Sequence, residues 1–462
     1  NSTANLTTGA RAIVLIFTFV SILNCKSVCM SSVDSPVIIV GAGMAGLTCA
    51  VYLKQAGIDA LLLDAADGIG GRVRTDVVDG FRLDRGFQIL LTAYPEAQQL
   101  LNYATLDLQR FRSGALIRSQ TIHDSAHWLT LLNPFQEPFS VFQTLISPVG
   151  SLGDKLRIFE LMRRTEELSI DDLFRQTPTT TLALLHKIGF SDRIIELFFR
   201  PFFGGVFLED ALTTSSNFFE FCFRMFFSGD AAVPALGMGA IPQQLAGYLS
   251  PGQIRLETPV RRIEGSRVIL DTGETLTGGV LVLAVDAAQA GILLDRRAAL
   301  NGQSFNRTTC TYFSAPESPR SIPAEKLLLL NPHRSSAVHN LAVMSDVAPD
   351  YVSTDRSDGQ KSLISVSTQG LETLDEAALT EGIRLELTNW FGTEVSTWRH
   401  LRTYHLPQAL PAYNPLQDKK NLAKTLKLTE TLYQCGDQSA YPSLNAAMQT
   451  GREVAELILR SR

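Results

Sequence analysis

The chain has 462 residues, enough for two or three packed domains at roughly 100–200 residues each. Its 45% hydrophobic and 19% charged residues are typical of a globular protein with a substantial core, and its net charge of −5 excludes the basic surface that nucleic-acid binding needs. The cysteines and histidines are scattered: Cys25 and Cys29 lie close together, and His123 and His127 are four residues apart without further ligands. We therefore expect neither a disulfide framework nor a metal site.

The first 33 residues are interpreted as a segment outside the fold. Arg11 precedes an apolar run at 12–23, and no acidic residue occurs before Asp34. The run is too short for a membrane-spanning helix of about 20 residues. Residues 1–29 are thus predicted to be a plastid or secretory leader, or translated sequence upstream of a true start at Met30. Without a leader, the protein is expected in the cytoplasm.

The folded chain is predicted to open with a strand, a helix and a second strand. A continuous apolar run at 36–40 indicates a buried parallel strand, 47–55 a helix and 58–63 another strand. The intervening loop, 41–46, has the pattern G-x-G-x-x-G, and Asp64 follows the second strand. These segments together form one βαβ unit.

Each glycine of this loop has a physical role in dinucleotide binding. Gly41 permits the tight turn, Gly43 lets the backbone approach a pyrophosphate, and Gly46 lets helix and strand pack closely. The helix N-terminus offers free N–H groups to the phosphates. Asp64 lies 18 residues after Gly46, a spacing at which a carboxylate accepts hydrogen bonds from a ribose.

The middle of the chain changes character. From about 100 to 230, helical patterns and proline-punctuated loops replace the strand–helix alternation, and eleven phenylalanines fall within 196–228. A helix is predicted at 217–227, with Asn217 and Glu220 spaced as a capping box and Gly229 as its stop. The phenylalanines are consistent with ordinary core packing, or with a deep apolar pocket or membrane-facing mouth.

Strands are again predicted after Pro242, and the chain ends, as the folded part begins, with a strand, a glycine-containing turn and a helix. Apolar strands are predicted at 254–257, 268–270, 280–285 and 431–435, and a helix at 443–460. Gly436 and Asp437 form the turn between the last strand and the last helix. Asp437 is positioned to bind ribitol hydroxyls, and the helix that follows could stabilise negative charge on a reduced cofactor.

Three stretches of the sequence resemble the flavin-containing amine oxidase superfamily, which includes protoporphyrinogen oxidases and phytoene-desaturase-like enzymes. They are 37–74, with its Gly70-Gly71-Arg72 element, then 83–87, and 436–451. The segment 86–95 is similar to carotenoid desaturases, whereas the Gly-Gly-Arg element is closer to amine and protoporphyrinogen oxidases. Ser443 stands where amine oxidases often have an aromatic residue, which disfavours amine oxidation.

The resemblance implies an α/β protein. Its Rossmann-like FAD-binding domain, a doubly wound sheet, is interleaved with an α+β substrate domain. The first is predicted from 34–110, 231–290 and 425–462, and the second from 111–230 and 291–424. The expected contacts with non-covalent FAD, including a backbone contact of Val260 with adenine, involve Gly41, Gly43, Met44, Ala45, Gly46, Asp64, Ala65, Gly71, Arg72, Val260, Gly436, Asp437, Leu444 and Ala447.

The resemblance also implies oxidation of a hydrophobic small molecule by hydride transfer to flavin N5, with oxygen or a quinone as electron acceptor and contact with a membrane surface. A redox-neutral isomerase, an amine or protoporphyrinogen oxidase and a lipid-binding escort protein are the alternatives. Catalytic residues are not evident. Tyr404, His405 and Tyr413, shortly before the last strand, are candidates for orienting or proton-handling groups, or belong to an ordinary loop.

Overall fold

The computed structural model describes residues 36–118, 128–133, 147–295, 304–320, 322, 326–334, 336–354, 357–369, 374–422 and 425–461. The predicted leader with Cys25 and Cys29, and the pair His123 and His127, lie outside the described residues. Among the described helices, none has both the length and the apolar character needed to cross a bilayer.

The strands and helices are numbered in chain order. The strands are β1 (Val37–Val40), β2 (Ala60–Leu63), β3 (Thr75–Val78), β4 (Phe81–Asp84), β5 (Leu90–Leu91), β6 (Leu108–Arg110), β7 (Gly114–Arg118), β8 (Trp128–Leu132), β9 (Ala231–Pro234), β10 (Ile254–Arg255), β11 (Val260–Glu264), β12 (Arg267–Leu270), β13 (Thr275–Thr277), β14 (Val280–Leu283), β15 (Phe305–Ala315), β16 (Leu328–Leu330), β17 (Val338–Val343), β18 (Ser362–Thr368), β19 (Arg399–Pro411) and β20 (Leu432–Gln434). The helices are α1 (Met44–Gln55), α2 (Pro95–Leu100), α3 (Tyr103–Leu106), α4 (Leu152–Glu167), α5 (Ile170–Arg175), α6 (Thr181–Ile188), α7 (Asp192–Ile194), α8 (Arg200–Phe207), α9 (Ser216–Ser228), α10 (Ala240–Ala246), α11 (Ala287–Leu293), α12 (Met344–Val347), α13 (Glu376–Phe391), α14 (Pro415–Leu422) and α15 (Leu444–Ser461). A π-helical turn, Ile195–Phe199, joins α7 to α8.

A five-stranded parallel sheet of order β10-β2-β1-β14-β20 forms the Rossmann-like part of the molecule. Residues of β1 and β14 are aliphatic and buried throughout, as expected for a parallel sheet covered on both faces. The strands come from all three stretches assigned to nucleotide binding, and helix α1 connects β1 to β2. The predicted α/β class is thereby confirmed, while the exact domain borders stay a prediction.

A second sheet, of order β19-β15-β18-β17-β16-β7-β8, has seven strands that pair antiparallel except for β16 with β7. Its strands come from the stretches 111–230 and 291–424. Helices α4 to α9 also belong to the first of these stretches. The α+β character predicted for the substrate-binding part is therefore observed.

The phenylalanine-rich segment packs as helices α8 and α9, whose rings contact one another in edge and stacked pairs. The predicted capping box is wrong. Helix α9 begins at Ser216 and is capped by Ser215, whose Oγ accepts from the Asn217 N–H at 3.3 Å. The Asn217 amide instead donates to the carbonyl of Gln176 at 3.0 Å. Gly229 does follow the last helical residue.

Asp84 links the β3–β4 hairpin to two other parts of the fold. Its carboxylate accepts hydrogen bonds from the Thr75 hydroxyl, the Met238 N–H at 2.9 Å and the Tyr351 hydroxyl at 2.7 Å. Its carbonyl accepts from the Tyr312 hydroxyl of β15 at 2.9 Å. Burial raises the pKa of Asp84 from 3.8 to about 6, although these donors oppose the shift.

We predict that Asp84 makes the stability of the protein depend on pH. Because its pKa is higher in the folded chain than in the unfolded chain, its contribution is complete below about pH 4 and is lost as the pH rises through about 6. The loss is about 3 kcal/mol at about 1.4 kcal/mol per pKa unit. In urea unfolding, Asp84→Asn should gain stability relative to the wild type over this pH range. A difference that is constant with pH would contradict the prediction.

Candidate active site

The loop after β1 depends on glycines that no larger residue could replace. Gly41 has φ +108°, and a Cβ there would lie 2.6 Å from the carbonyl oxygen of Ala284. A Cβ on Gly46 would lie 2.0 Å from the carbonyl oxygen of Gly41. Both contacts are shorter than any real side chain could make. The loop therefore brings the start of α1 directly against the carboxyl end of β1.

The first turn of α1 is open to a ligand. The helix begins at Met44 after Gly43, and no side chain caps it. Gly43, Met44 and Ala45 line a cavity at this end of the sheet. Since the first N–H groups of a helix have no partner within it, this end of the cavity can bind an anion such as a pyrophosphate.

A second backbone segment faces the glycine loop. Gly70 donates its N–H to the carbonyl of Ala42 at 2.9 Å, and Gly70 and Gly71 have φ +103° and +60°. A Cβ on Gly71 would lie 3.4 Å from the Cα of Gly43. The wall at this point has no side chains on either side. The space beside these two glycines fits a phosphate-bearing group. A side chain at Gly43 or at Gly71 would occupy that space and displace the group.

Asp64 holds the same region together. One oxygen accepts from the Ala42 N–H at 2.7 Å and the other from the Ala66 N–H at 2.8 Å. The side chain lines the cavity, and each carboxylate oxygen can accept a further bond. Asp64 can therefore accept from a sugar hydroxyl while it keeps the two loops in register.

The carboxy-terminal turn meets the amino-terminal segment at an ion pair. Asp437 is 5% exposed, and its Oδ1 lies 2.6 Å from Nη2 of Arg72. Gln438 ties the turn to the end of β14 through the carbonyl of Val285 at 2.8 Å. Ser443 caps the following helix by accepting from the Ala446 N–H at 3.0 Å. Residues 365 positions apart in sequence thus form one wall.

A single cavity of about 1100 Å³ joins these two ends and extends into an apolar chamber. Gly43 and Asp437 line its polar part. The residues of the apolar part, which come largely from α4, α8, α9 and the second sheet, include Phe87, Phe111, Leu131, Leu156, Phe159, Phe198, Phe202, Phe203, Val206, Phe218, Phe223, Phe226, Phe227 and Leu328. The cavity is therefore large enough for a dinucleotide at one end and an apolar molecule at the other.

A family model described as flavin-containing amine oxidoreductase matches residues 44–459. The chain belongs to this family. The description of the family implies a flavin cofactor and oxidoreductase chemistry, and the polar end of the cavity fits the flavin cofactor. The family prediction from the three sequence stretches is thus confirmed.

Curated relatives match shorter parts of this flavin oxidoreductase. The 15-cis-phytoene desaturase of Arabidopsis thaliana is 45% identical over 65 residues, 14% of this chain and 12% of the relative. The putrescine oxidase of Kocuria rosea is 36% identical over 85 residues, 18% of each protein. The chain therefore spans less than a fifth of the length of either relative.

Solved structures share the fold over nearly the whole chain. A protein described as a protoporphyrinogen oxidase, from Exiguobacterium sp. 255-15, has a TM-score of 0.68 at 17% identity and covers 93% of this chain and 99% of its own. Reduced UDP-galactopyranose mutase has a TM-score of 0.66 at 16% identity and covers 93% and 94%. At such low identity, these likenesses show the fold alone.

The cavity brings most of the predicted cofactor residues of the oxidoreductase together. Those that line it are Gly41, Gly43, Met44, Ala45, Asp64, Gly71, Arg72, Gly436, Asp437, Leu444 and Ala447. The residues that line the cavity do not include Gly46, Ala65 or Val260. Gly46 packs on Gly41, and Val260 pairs with Leu270 at the start of β11. A contact of Val260 with adenine therefore stays a prediction.

The predicted catalytic candidates are not placed at the cavity. The hydroxyl of Tyr404 donates to Asp76 at 2.8 Å, His405 is exposed, and the buried Tyr413 donates to Asp418 at 2.9 Å. Instead, the next part of β19, residues 406–411, lines the cavity. Tyr404 and Tyr413 donate hydrogen bonds within the fold, and a catalytic role for these three candidates stays a prediction.

Sequence reasoning missed the segment that follows β14. Ala284, Val285 and Asp286 line the cavity beside the glycine loop, and Asp286 caps α11 by accepting from the Gln289 N–H at 2.9 Å. The available signal was topological, because β14 lies next to β1 and both strands end at the same edge. Residues after such strands belong to the ligand crevice of an open α/β sheet.

We predict that flavin retention requires the space above Gly43. Its φ of −75° suits any residue, so Gly43→Leu should fold, but the new side chain would enter the cavity opposite Gly71. Flavin content, measured as the ratio of flavin to protein absorbance, should fall to about a tenth or less because the phosphate space is filled. Gly382→Leu is the matched control, since no atom lies within 4 Å of a Cβ there. Equal flavin content in both variants would refute the assignment.

Proposed function

We propose that this protein is an FAD-dependent dehydrogenase or desaturase acting on a hydrophobic small molecule. The observation that carries the proposal is the continuity of one cavity from the glycine loop at Gly43 and the Asp437 turn into the phenylalanine-lined chamber. A bound flavin accepts a hydride at N5, and the protein supplies binding and orientation. Here the phenylalanines of α8 and α9 would hold the substrate and exclude water.

The distribution of charge supports an apolar substrate over an amine. The acidic residues that line the cavity within the described chain are Asp64, Asp286 and Asp437, which follow β2, β14 and β20. All three therefore lie at the nucleotide end of the sheet. The chamber wall from α8 and α9 carries phenylalanines and no carboxylate, and Ser443 supplies no aromatic ring for an amine cage. An alkylammonium group would lose hydration there without gaining a counter-charge.

FAD rather than a smaller flavin is proposed because the polar part of the cavity extends from Gly43 to Asp437, as an extended dinucleotide requires. Non-covalent attachment is proposed from the cysteines. Burial raises the pKa of the Cys435 thiol to about 12, and Cys435 does not line the cavity. Cys222 does, but burial raises its pKa as well. Neutral thiols are poor nucleophiles toward a flavin ring.

We predict that the purified protein shows a flavin absorbance spectrum. Anaerobic addition of an apolar polyene or porphyrinogen substrate should bleach it, whereas polyamines should leave it unchanged. Admission of oxygen or addition of a quinone should restore the colour, which also identifies the electron acceptor. Bleaching by polyamines alone would favour amine oxidation, and turnover without net bleaching a redox-neutral isomerase. A colourless protein that still binds apolar ligands would favour an escort protein.

The mouth of the chamber supports contact with a membrane surface. Leu152, Leu156 and Phe159 of α4 follow the spacing of one helix face, line the cavity and are 60%, 63% and 46% exposed. Exposed apolar side chains at the entrance of an apolar chamber are suited to extract a lipid-soluble substrate from a bilayer.

We predict that Leu152→Ser combined with Leu156→Ser weakens binding to phosphatidylcholine vesicles about tenfold or more, because each leucine loses the gain from burial in lipid. Vesicle sedimentation measures the effect. Leu385→Ser is the matched control, since Leu385 is also 63% exposed but lies on α13 away from the cavity. Unchanged binding of the double variant would contradict a membrane-facing mouth.

A further inference from the structure

One part of the chamber wall is polar although its surroundings are apolar. Asn340 of β17 and Ser367 of β18 are register partners on adjacent antiparallel strands, so their side chains share a face about 5 Å apart. Both line the cavity, at 5% and 8% exposure. Thr308 and Gln369 line the same cavity from β15 and from the end of β18.

The orientation of Asn340 is fixed from behind. Nε2 of His339 lies 3.0 Å from Oδ1 of Asp210, and because a carboxylate only accepts, Nε2 carries the proton. Nδ1 then accepts from Nδ2 of Asn340 at 3.3 Å. The pair of Asp210 and His339 therefore fixes the orientation of the Asn340 amide, with Nδ2 as the end that is bonded within the wall.

The remaining polar atoms of this pair have no protein partner. Among the described residues, no group bonds to Oδ1 of Asn340 or to Oγ of Ser367. Both residues line the cavity, and an apolar ligand that covered these two atoms without offering a hydrogen-bonding group would leave them without a partner, which is unfavourable. Two unsatisfied groups that line a cavity side by side are therefore suited to bind a ligand atom.

The helix opposite leaves room for that atom. Gly205 of α8 also lines the cavity, and a Cβ there would lie 2.9 Å from Nδ2 of Asn340. The neighbouring Gly204 carbonyl accepts from Nε2 of Gln369 at 3.1 Å, which fixes α8 against the sheet. A glycine at 205 therefore keeps the polar wall accessible from the chamber.

We propose that Asn340 and Ser367 form a subsite for an uncharged oxygen, a hydroxyl or a carbonyl, carried by an otherwise apolar substrate. Oδ1 of Asn340 accepts, and the hydroxyl of Ser367 both donates and accepts, so a ligand hydroxyl can bond to both atoms and a ligand carbonyl can accept from Ser367. Thr308, Asn340, Ser367 and Gln369 carry no charge, so a carboxylate or ammonium group has no ion partner in this wall. The inference rests on the proposed function and adds the substrate class.

The test compares ligands that share one skeleton. Dissociation constants of farnesol, its deoxy hydrocarbon and farnesylamine are measured by calorimetry on the flavin-loaded protein. Farnesol should bind about five- to tenfold more tightly than the hydrocarbon, the gain of about one net hydrogen bond. Farnesylamine should bind more weakly than farnesol. Equal affinity for farnesol and the hydrocarbon would overturn the subsite.

Variants assign the preference to the two residues. Asn340→Leu and Ser367→Ala should each reduce the ratio of hydrocarbon to farnesol dissociation constants toward one, while hydrocarbon binding is kept. Ser365→Ala is the matched control, because Ser365 is buried on the same strand but bonds to Cys310 and does not line the cavity. If this ratio is unchanged in both Asn340→Leu and Ser367→Ala, then other residues recognise the hydroxyl of farnesol, and the proposal is overturned.

His339 is a positioning residue in this scheme. His339→Leu should lower the ratio, whereas His339→Asn, whose carbonyl oxygen can replace Nδ1 as acceptor, should restore most of it. If His339 were merely structural, its replacement would weaken the binding of farnesol and of the hydrocarbon equally. The ratio would then stay unchanged, and the positioning role of His339 would be overturned. Failure to bind even the hydrocarbon would instead count against the proposed apolar chamber, so the two failures are distinguishable.

Discussion

The close packing of backbone at the carboxyl edge of the parallel sheet is the constraint on which the remaining structure depends. It requires glycine where helix α1 meets β1, and again where α15 crosses α1: a Cβ on Gly451 would lie 2.4 Å from the carbonyl of Ala45. Because no side chain separates these elements, the N-terminus of α1 and the turn before α15 border one cavity. Any larger residue at these points would move a whole helix rather than a single side chain.

This edge is held by contacts that join distant parts of the chain. Arg72 pairs with Asp437, and on the other side of α15 Arg452 makes a two-pronged ion pair with the largely buried Glu96 of α2. The carbonyl of Asp84 accepts from the hydroxyl of Tyr312 on β15, which couples the β3–β4 hairpin to the second sheet. The nucleotide end and the apolar chamber are thus fixed relative to one another by buried polar bonds, as orientation of a substrate against a cofactor demands.

The elements that could be predicted from the sequence are those that depend on a local residue pattern. The features that were missed depend on which strands and loops pair in three dimensions. The strand, glycine loop and helix at 36–55 were predictable because buried strands and tight turns each have a local composition. The position of Tyr404 and His405 just outside the cavity lining has a geometric cause: cavity contact along β19 begins only at 406, and the hydroxyl of Tyr404 bonds to Asp76 of β3. Nothing near 404 in the sequence indicates which strand or hairpin it will face.

The same reasoning explains why the family name does not determine the substrate. Every member needs the nucleotide edge, so its signals are strong and lie in short motifs, whereas the chamber is built from α8, α9 and the second sheet, whose residues meet only in three dimensions. In this chain the carboxylates of the cavity serve the nucleotide edge, and the chamber combines phenylalanines with the uncharged pair Asn340 and Ser367. Arg112 and Lys155 also line the cavity, so the lack of carboxylates in the chamber disfavours an ammonium group in particular, because a buried ion without a partner is far more costly than a hydrogen-bonded hydroxyl. Among the described residues, the chamber thus offers no carboxylate to an amine, even though the fold is shared with oxidases of amines.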